Sequence, residues 1–417
     1  MIGKLKLIII CLSVFPLTLA QDCQIDLLAN PTASPLLLTV LDGTYSFPDP
    51  TSTDNRTLDL LSNQELVFAC PGGQFTQPGL NTRGQHAFCQ GGTTLSSNSF
   101  LYDYNILNCT LTDLTRPALA DSYDDPSLLC ENSERPVRVG YKIDGTLVPV
   151  LDVCFNEATA LATYTRHRLT GFAPLAQSTA RSPPTYFQFY LSLYNKDVQS
   201  VYDSFEFYFE KLGLEEYLTD AYFLRAGHLA PYEDFFHPFQ RDAAYHYVNA
   251  APQWNTFDDG NWRVLEDGVL QVVANGKMGD GVVVTGDATV VTGTLKVGTL
   301  VSNATGTPEV VELILRYGQF PIPRWFWKVV YFGEVDIGAV FFGFNNPYAG
   351  LKDEVDAEFV AEICSEDVFE SLRAKWYLDH VDNSGPGLGY MFACSLDLGG
   401  LLDPTINSVV TNVLSKQ

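Results

Sequence analysis

The sequence is poor in positive charge. Its 417 residues carry 25 Lys+Arg against 49 Asp+Glu, a formal net charge of −24 at pH 7. Such a surface repels polyanions at long range, and taken alone it argues against a nucleic-acid binder. Long apolar runs are scarce beyond the N-terminus. The strongest candidate span, Trp325 to Phe344, is interrupted by Lys328, Glu334 and Asp336, so no internal membrane crossing is expected. No Cys-x-x-Cys pair occurs, which disfavours zinc-ribbon and thioredoxin chemistry. A Gly-x-Ser-x-Gly elbow, a phosphate loop and a dinucleotide fingerprint are also missing. There is no internal repeat and no low-complexity tail. What is present describes a folded protein, with 46% hydrophobic, 13% aromatic and only 18% charged residues. The length suits one large domain or two, with ample core.

The first 20 residues read as a secretory signal. Lys4 and Lys6 form its basic region, Leu7 to Leu17 its apolar run, and Ala20 a small residue before Gln21. A retained anchor is the alternative, but the apolar run is short for a bilayer. Cleavage would leave 23 basic and 49 acidic groups, or −26, and would remove Cys11. The eight remaining cysteines are Cys23, Cys70, Cys89, Cys109, Cys130, Cys154, Cys364 and Cys394. An even count in an exported chain predicts disulfides. Cys364 with Cys394 is the one pairing expected, because both stand alone late in the chain. Glycosylation acceptors at Asn55, Asn108 and Asn303 agree with a secreted, extracellular protein that has no membrane attachment once the signal is removed.

Residues 21–140 alternate short apolar runs with Gly, Pro, Ser, Thr and Asn clusters. They are expected to form a small β-rich region stapled by disulfides. Residues 141–417 are expected to hold the functional domain. Val137 to Val153 predicts two strands around Asp144-Gly145, Asp197 to Leu218 predicts helix, and Gly279 to Val301 predicts strands. His228, His237 and His246 crowd together, but spacings of nine suit no familiar zinc pattern, and His237 and His246 read as structural histidines.

The stretch from Leu224 to Glu266 carries chemistry. It contains Arg225-Ala226-Gly227-His228, then Asn249, Pro252-Gln253-Trp254, Asp258, Trp262 and Glu266. A neutral imidazole such as His228 can activate water near working pH. Gly227 beside it would let a phosphate approach the backbone. Asp258, Trp262 and Glu266 are spaced i, i+4, i+8 and would share one helix face if Asp258 opens a helix. An N-cap role competes for Asp258, Trp262 is core or a stacking platform, and Asn249 a donor near a metal or a turn residue.

This stretch resembles the DNA/RNA non-specific endonuclease family, particularly secreted arthropod nucleases and double-stranded ribonucleases. Further matching pieces are Val153-Cys154-Phe155, Thr165-Arg166-His167, Val291-Thr292-Gly293-Thr294, Ile322 to Lys328 and Asn345-Asn346-Pro347. The resemblance covers roughly residues 137 to 400. It implies an α+β fold with a ββα-metal (His-Me finger) core, a central antiparallel sheet flanked by helices. It implies hydrolysis of DNA and/or RNA with little sequence specificity. His228 would be the general base, and Asp258 would hold Mg²⁺, Mn²⁺ or Ca²⁺ largely through water. Asn249 and Glu266 would orient waters and base. Arg181 would be the upstream phosphate-binding arginine. The sequence points to no protein partner.

Two positions depart from the family pattern. The arginine expected immediately before Gly-His is Ala226, with Arg225 displaced by one. In a strand, neighbouring side chains face opposite ways, so Arg225 is not a simple replacement. The family's metal-binding Asn is Asp258, a chemically competent ligand for a hard cation. These departures keep open a catalytically impaired homologue that binds nucleic acid, or another ligand, without turnover. A secreted structural or carbohydrate-binding glycoprotein is the remaining reading.

Overall fold

The computed structural model describes residues 22–29, 35–52, 56–71, 73–80, 84–111, 121–124, 130, 134–176, 187, 193–194, 198–316, 318–348, 357–384, 386–396 and 401–414. The expected β-rich N-terminal region is a six-stranded antiparallel sheet built from residues 36 to 103. Disulfides Cys23–Cys89 and Cys70–Cys109 staple it. Two of its apolar runs, Leu36 to Val40 and Glu65 to Ala69, form neighbouring strands, Leu36–Leu41 and Glu65–Ala69, that pair with each other.

A larger, eight-stranded antiparallel sheet follows. Its strands are β1 (Asp121–Asp124), β2 (Arg135–Ile143), β3 (Thr146–Asn156), β4 (Leu161–Leu169), β7 (Ala288–Val297), β8 (Pro323–Phe332), β9 (Ile337–Phe344) and β10 (Met391–Ser395), in that order. Sequence neighbours pair as hairpins, and Asp144 and Gly145 both take positive φ at the β2–β3 turn, as that two-residue loop requires. The sheet recruits β1 and most of β2 from the segment before residue 141. Cys130–Cys154 and Cys364–Cys394 fasten it, the latter as expected.

Alternation on β8 divides the core into two faces. Trp325, Trp327 and Val329 pack on one side with Ile406, Val409 and Val410 of the C-terminal helix Pro404–Leu414. Phe326, Val330 and Phe332 pack on the other, beneath the functional segment. That segment is a separate hairpin, β5 (Leu224–His228) with β6 (Ala250–Trp254), followed by α1 (Asn255–Asp258) and α2 (Asn261–Asn275). The result is a ββα unit laid on the sheet. Trp262, Leu265, Val269, Val272 and Val273 follow helical spacing and form the buried stripe of α2. Gly276 ends α2 in the left-handed conformation, φ 62°. The helix expected over Asp197 to Leu218 is present but broken, as Gln199–Tyr202 and Phe205–Leu212. No helix among the described residues is long and apolar enough to cross a membrane.

Candidate active site on the ββα unit

His228 ends β5, and its ring meets three aromatic rings. Centroid distances are 4.6 Å to Tyr245, 4.8 Å to Phe187 and 6.2 Å to Tyr232. Its Nε2 is sealed from solvent and has no hydrogen-bond partner. Burial, then the charge of Arg225, pushes the imidazole below its ordinary 6.5. Histidine here is a neutral base at every physiological pH.

Asn249 is fully buried and fully committed. Its Oδ1 accepts from Ala230 N–H at 2.9 Å, and its Nδ2 donates to Ala230 O at 2.8 Å and Ala244 O at 3.0 Å. It therefore pins the chain just after His228. Gly227 has a packing role rather than the open approach expected for it. A Cβ there would lie 1.6 Å from Gln253 Oε1.

Asp258 does not open the long helix. It closes the short α1, and Gly260 stands at the N-cap of α2. Neither the shared helix face nor the capping role holds for it. Its carboxylate instead takes the guanidinium of Arg225, whose Nη2 also reaches Asp259. Burial raises the Asp258 carboxyl above its ordinary value, with Arg225 opposing. Trp262 is core, 0% exposed. Glu266 is nearly buried, its side chain 10% exposed, faces Lys328 Nζ at 3.5 Å, and is raised by burial despite that cation. His237 and His246 are structural, bonding Pro48 O and the Val248 N–H respectively. Arg181 lies outside the described residues.

Arg225, His228, Asp258 and Glu266 thus form one electrostatic group. The charge of Arg225 acts on His228, and that of Asp258 on Glu266. Asn249 supports them from the adjacent loop. Sequence reasoning missed Lys328, which also donates to Thr292 Oγ1 at 2.8 Å and Leu229 O at 3.5 Å. Its signal was available, a lone lysine inside an apolar strand where a charge needs a partner. Tyr232, Tyr245 and Phe187 carried no spacing that would have revealed them.

The metal question turns on donor chemistry. Among the described residues one trio of potential ligands converges, Cys130, Glu134 and Cys154, but Cys130 and Cys154 are disulfide-bonded to each other. At the ββα unit, outside the Glu266–Lys328 pair, Asp258 offers a largely buried carboxylate, whereas Asp259 and Asp267 are exposed and paired with Arg225 and Arg263. Arg225 engages Asp258 Oδ2, leaving Oδ1. The donor set fits a hydrated divalent ion, held at one carboxylate oxygen beside a competing guanidinium.

The sequence model of the family described as DNA/RNA non-specific endonuclease matches residues 133–395, well over half of the chain. The chain belongs to this family. Members of the family are divalent-metal dependent. The chain is 28% identical over 258 residues to the salivary protein Tsal1 of Glossina morsitans morsitans, covering 59% of this chain and 58% of that one. It is 26% identical over 342 residues to a salivary endonuclease of Lutzomyia longipalpis, covering 75% and 77%. It is 24% identical over 330 residues to Tsal2A of the same Glossina subspecies, covering 75% and 76%. The solved EndoG/EndoGI complex aligns at 15% identity and a TM-score of 0.35 over 56% of this chain and 84% of that one.

Proposed function

We propose that this family member is a secreted, divalent-metal-dependent endonuclease that cuts DNA and/or RNA with little sequence preference. The observation that carries the reading is a neutral His228, its Nε2 without a hydrogen-bond partner, grouped with Asp258 and Glu266 on a ββα unit. With Nε2 sealed and unpartnered, Nδ1 is the ring nitrogen that would serve an attacking water. It would take the proton as the water oxygen bonds to phosphorus and the phosphorus–oxygen bond to the leaving sugar oxygen breaks. Asn249 and the Lys328 contact to Leu229 O fix the backbone on which His228 sits. Asp258 would hold the ion, which when bound supplies charge neutralisation at the phosphoryl and leaving oxygens. Mg²⁺ is the expected ion, with Mn²⁺ or Ca²⁺ as substitutes.

Four disulfides, the N-terminal leader and the salivary relatives support secretion. Asn108 and Asn303 would carry glycans, and Asn55 would as well although it lies outside the described residues. The ion pair of Arg225 with Asp258 favours a second reading, nucleic-acid binding without turnover, because a guanidinium occupies the carboxylate the ion needs. An activity gel cast with DNA or double-stranded RNA separates the two. A chelator-sensitive cleared band supports the nuclease. Retention of labelled nucleic acid with no clearing in Mg²⁺, Mn²⁺ or Ca²⁺ supports the binder.

A further inference from the structure

A cavity of about 520 Å³ lies between the hairpin formed by residues 299–302 and 309–312 and the start of β8. Its lining includes Arg324, Phe344, Asn346, Tyr217, Tyr348 and Val310, and contains no carboxylate. That is unusual in a chain with 49 Asp+Glu. Among the described residues Arg324 makes no ion pair and no side-chain hydrogen bond. Arg166, Arg168, Arg225 and Arg263 all meet acids. The Arg324 guanidinium lies over the Phe344 ring, 5.7 Å from its centroid.

The other polar groups of the cavity are mostly spent. Tyr217 donates its hydroxyl to Val301 O, Tyr348 donates to Tyr217 O, and the Asn345 amide is used by Trp254, Pro252 and Pro323. Asn346 Oδ1 accepts from the Tyr348 N–H. Arg324, Asn346 Nδ2 and the Thr299 hydroxyl are left, and all three can donate. Donors with no carboxylate among them, walled by aromatic rings, suit a phosphate joined to a flat heterocycle.

Position ties the cavity to the proposed active site. Arg324 and Lys328 share a face of β8, four residues or roughly 13 Å apart, about four steps of a B-form strand at ~3.4 Å each. Lys328 reaches the chain beside His228, whereas Asn345 joins the cavity wall to the Trp254 end of the same hairpin. We infer that the Arg324 cavity is a second nucleotide subsite, which takes a phosphate and base of the strand several steps from the cut. The inference rests on the nuclease reading for the identity of that strand.

Adenosine 5′-monophosphate is the probe, titrated by calorimetry into the purified full chain in EDTA. The parent is expected to bind it, with adenosine at least tenfold weaker. Arg324→Gln is expected to weaken AMP at least tenfold, and Arg324→Lys less. Val310→Glu places a carboxylate at a position that is 73% exposed, where folding is not at risk, and is also expected to weaken binding. His228→Ala is expected to bind like the parent. Equal AMP affinity in the parent, Arg324→Gln and Val310→Glu overturns the subsite. So does the absence of AMP binding to the parent, or a loss confined to His228→Ala. Because the titration requires no turnover, an inactive chain that binds AMP through Arg324 would refute the nuclease reading and leave the subsite standing.

Discussion

Replacing Asn249 by Asp changes one amide nitrogen to oxygen and leaves the shape alone. The new oxygen would face Ala230 O and Ala244 O, now served by Nδ2 at 2.8 and 3.0 Å. A carboxylate cannot be held against two carbonyls in a fully buried site, so the side chain must fold protonated. Against an ordinary pKa near 3.9, holding that proton costs about 5 kcal/mol at pH 7.5 and about 2 kcal/mol at pH 5.5. The proton restores one of the two lost donor bonds, and the orphaned carbonyl adds about 1 kcal/mol. The folded-state pKa is raised, so stability is retained at low pH and lost as pH rises. The expected destabilisation is therefore about 6 kcal/mol at pH 7.5 and about 3 kcal/mol at pH 5.5. Asn249→Ala loses three bonds, roughly 3–5 kcal/mol, with no such pH dependence. Guanidinium unfolding of parent and variants at both pH values measures this, and the histidine contributions common to all three cancel. A pH-independent Asn249→Asp would refute the reasoning. So would parent-like stability with lost activity, which would return Asn249 to the role of a donor near the metal.

Other expectations follow from the same geometry. Gly227→Ala drives a Cβ into Gln253 and is expected to cost about 1–3 kcal/mol by overpacking, lowering the denaturant midpoint; an unchanged midpoint contradicts that packing. Burial depresses His237 and His246 to about 4 and lowers His228 as well. Their stabilisation is present above the unfolded value of 6.5 and drains as pH falls toward 4, so Tm should drop between pH 7 and 5; a flat Tm over that range counts against their burial as neutral groups. Arg225→Gln releases Asp258 Oδ2 and is expected to tighten Mn²⁺ binding several-fold by calorimetry; equal affinity would show that the guanidinium does not compete.

Much of this architecture was legible in the residues. The strands at Leu36–Leu41 and Glu65–Ala69 and the Asp144-Gly145 turn announced themselves by alternation and turn chemistry. Cys364 and Cys394 paired because nothing else in the late chain could take them. The family match spans residues 133–395 and includes the stretch that carries His228, Asn249, Asp258 and Glu266. Misreadings arose where a local pattern met tertiary context. The spacing would have put Asp258 on the long helix had it opened one, but the helices separate at Asp259-Gly260, and the carboxylate goes to Arg225. Gly227 looked like an approach path, and its missing Cβ is filled by Gln253 from the partner strand. Lys328 served only to rule out a membrane span, because its partners Glu266 and Thr292 are remote in sequence. The aromatic walls around His228 come from three separate segments, and single-sequence periodicity cannot join them.

The central claim is that His228 activates water for metal-dependent phosphodiester cleavage. Initial rates on supercoiled plasmid and long double-stranded RNA in Mg²⁺, for parent and His228→Ala with folding confirmed by circular dichroism, test it most directly. The account predicts cleavage by the parent that stops with EDTA, and a variant slowed about 10²–10⁴-fold. Equal rates in parent and variant, or cleavage that survives the chelator, would contradict it.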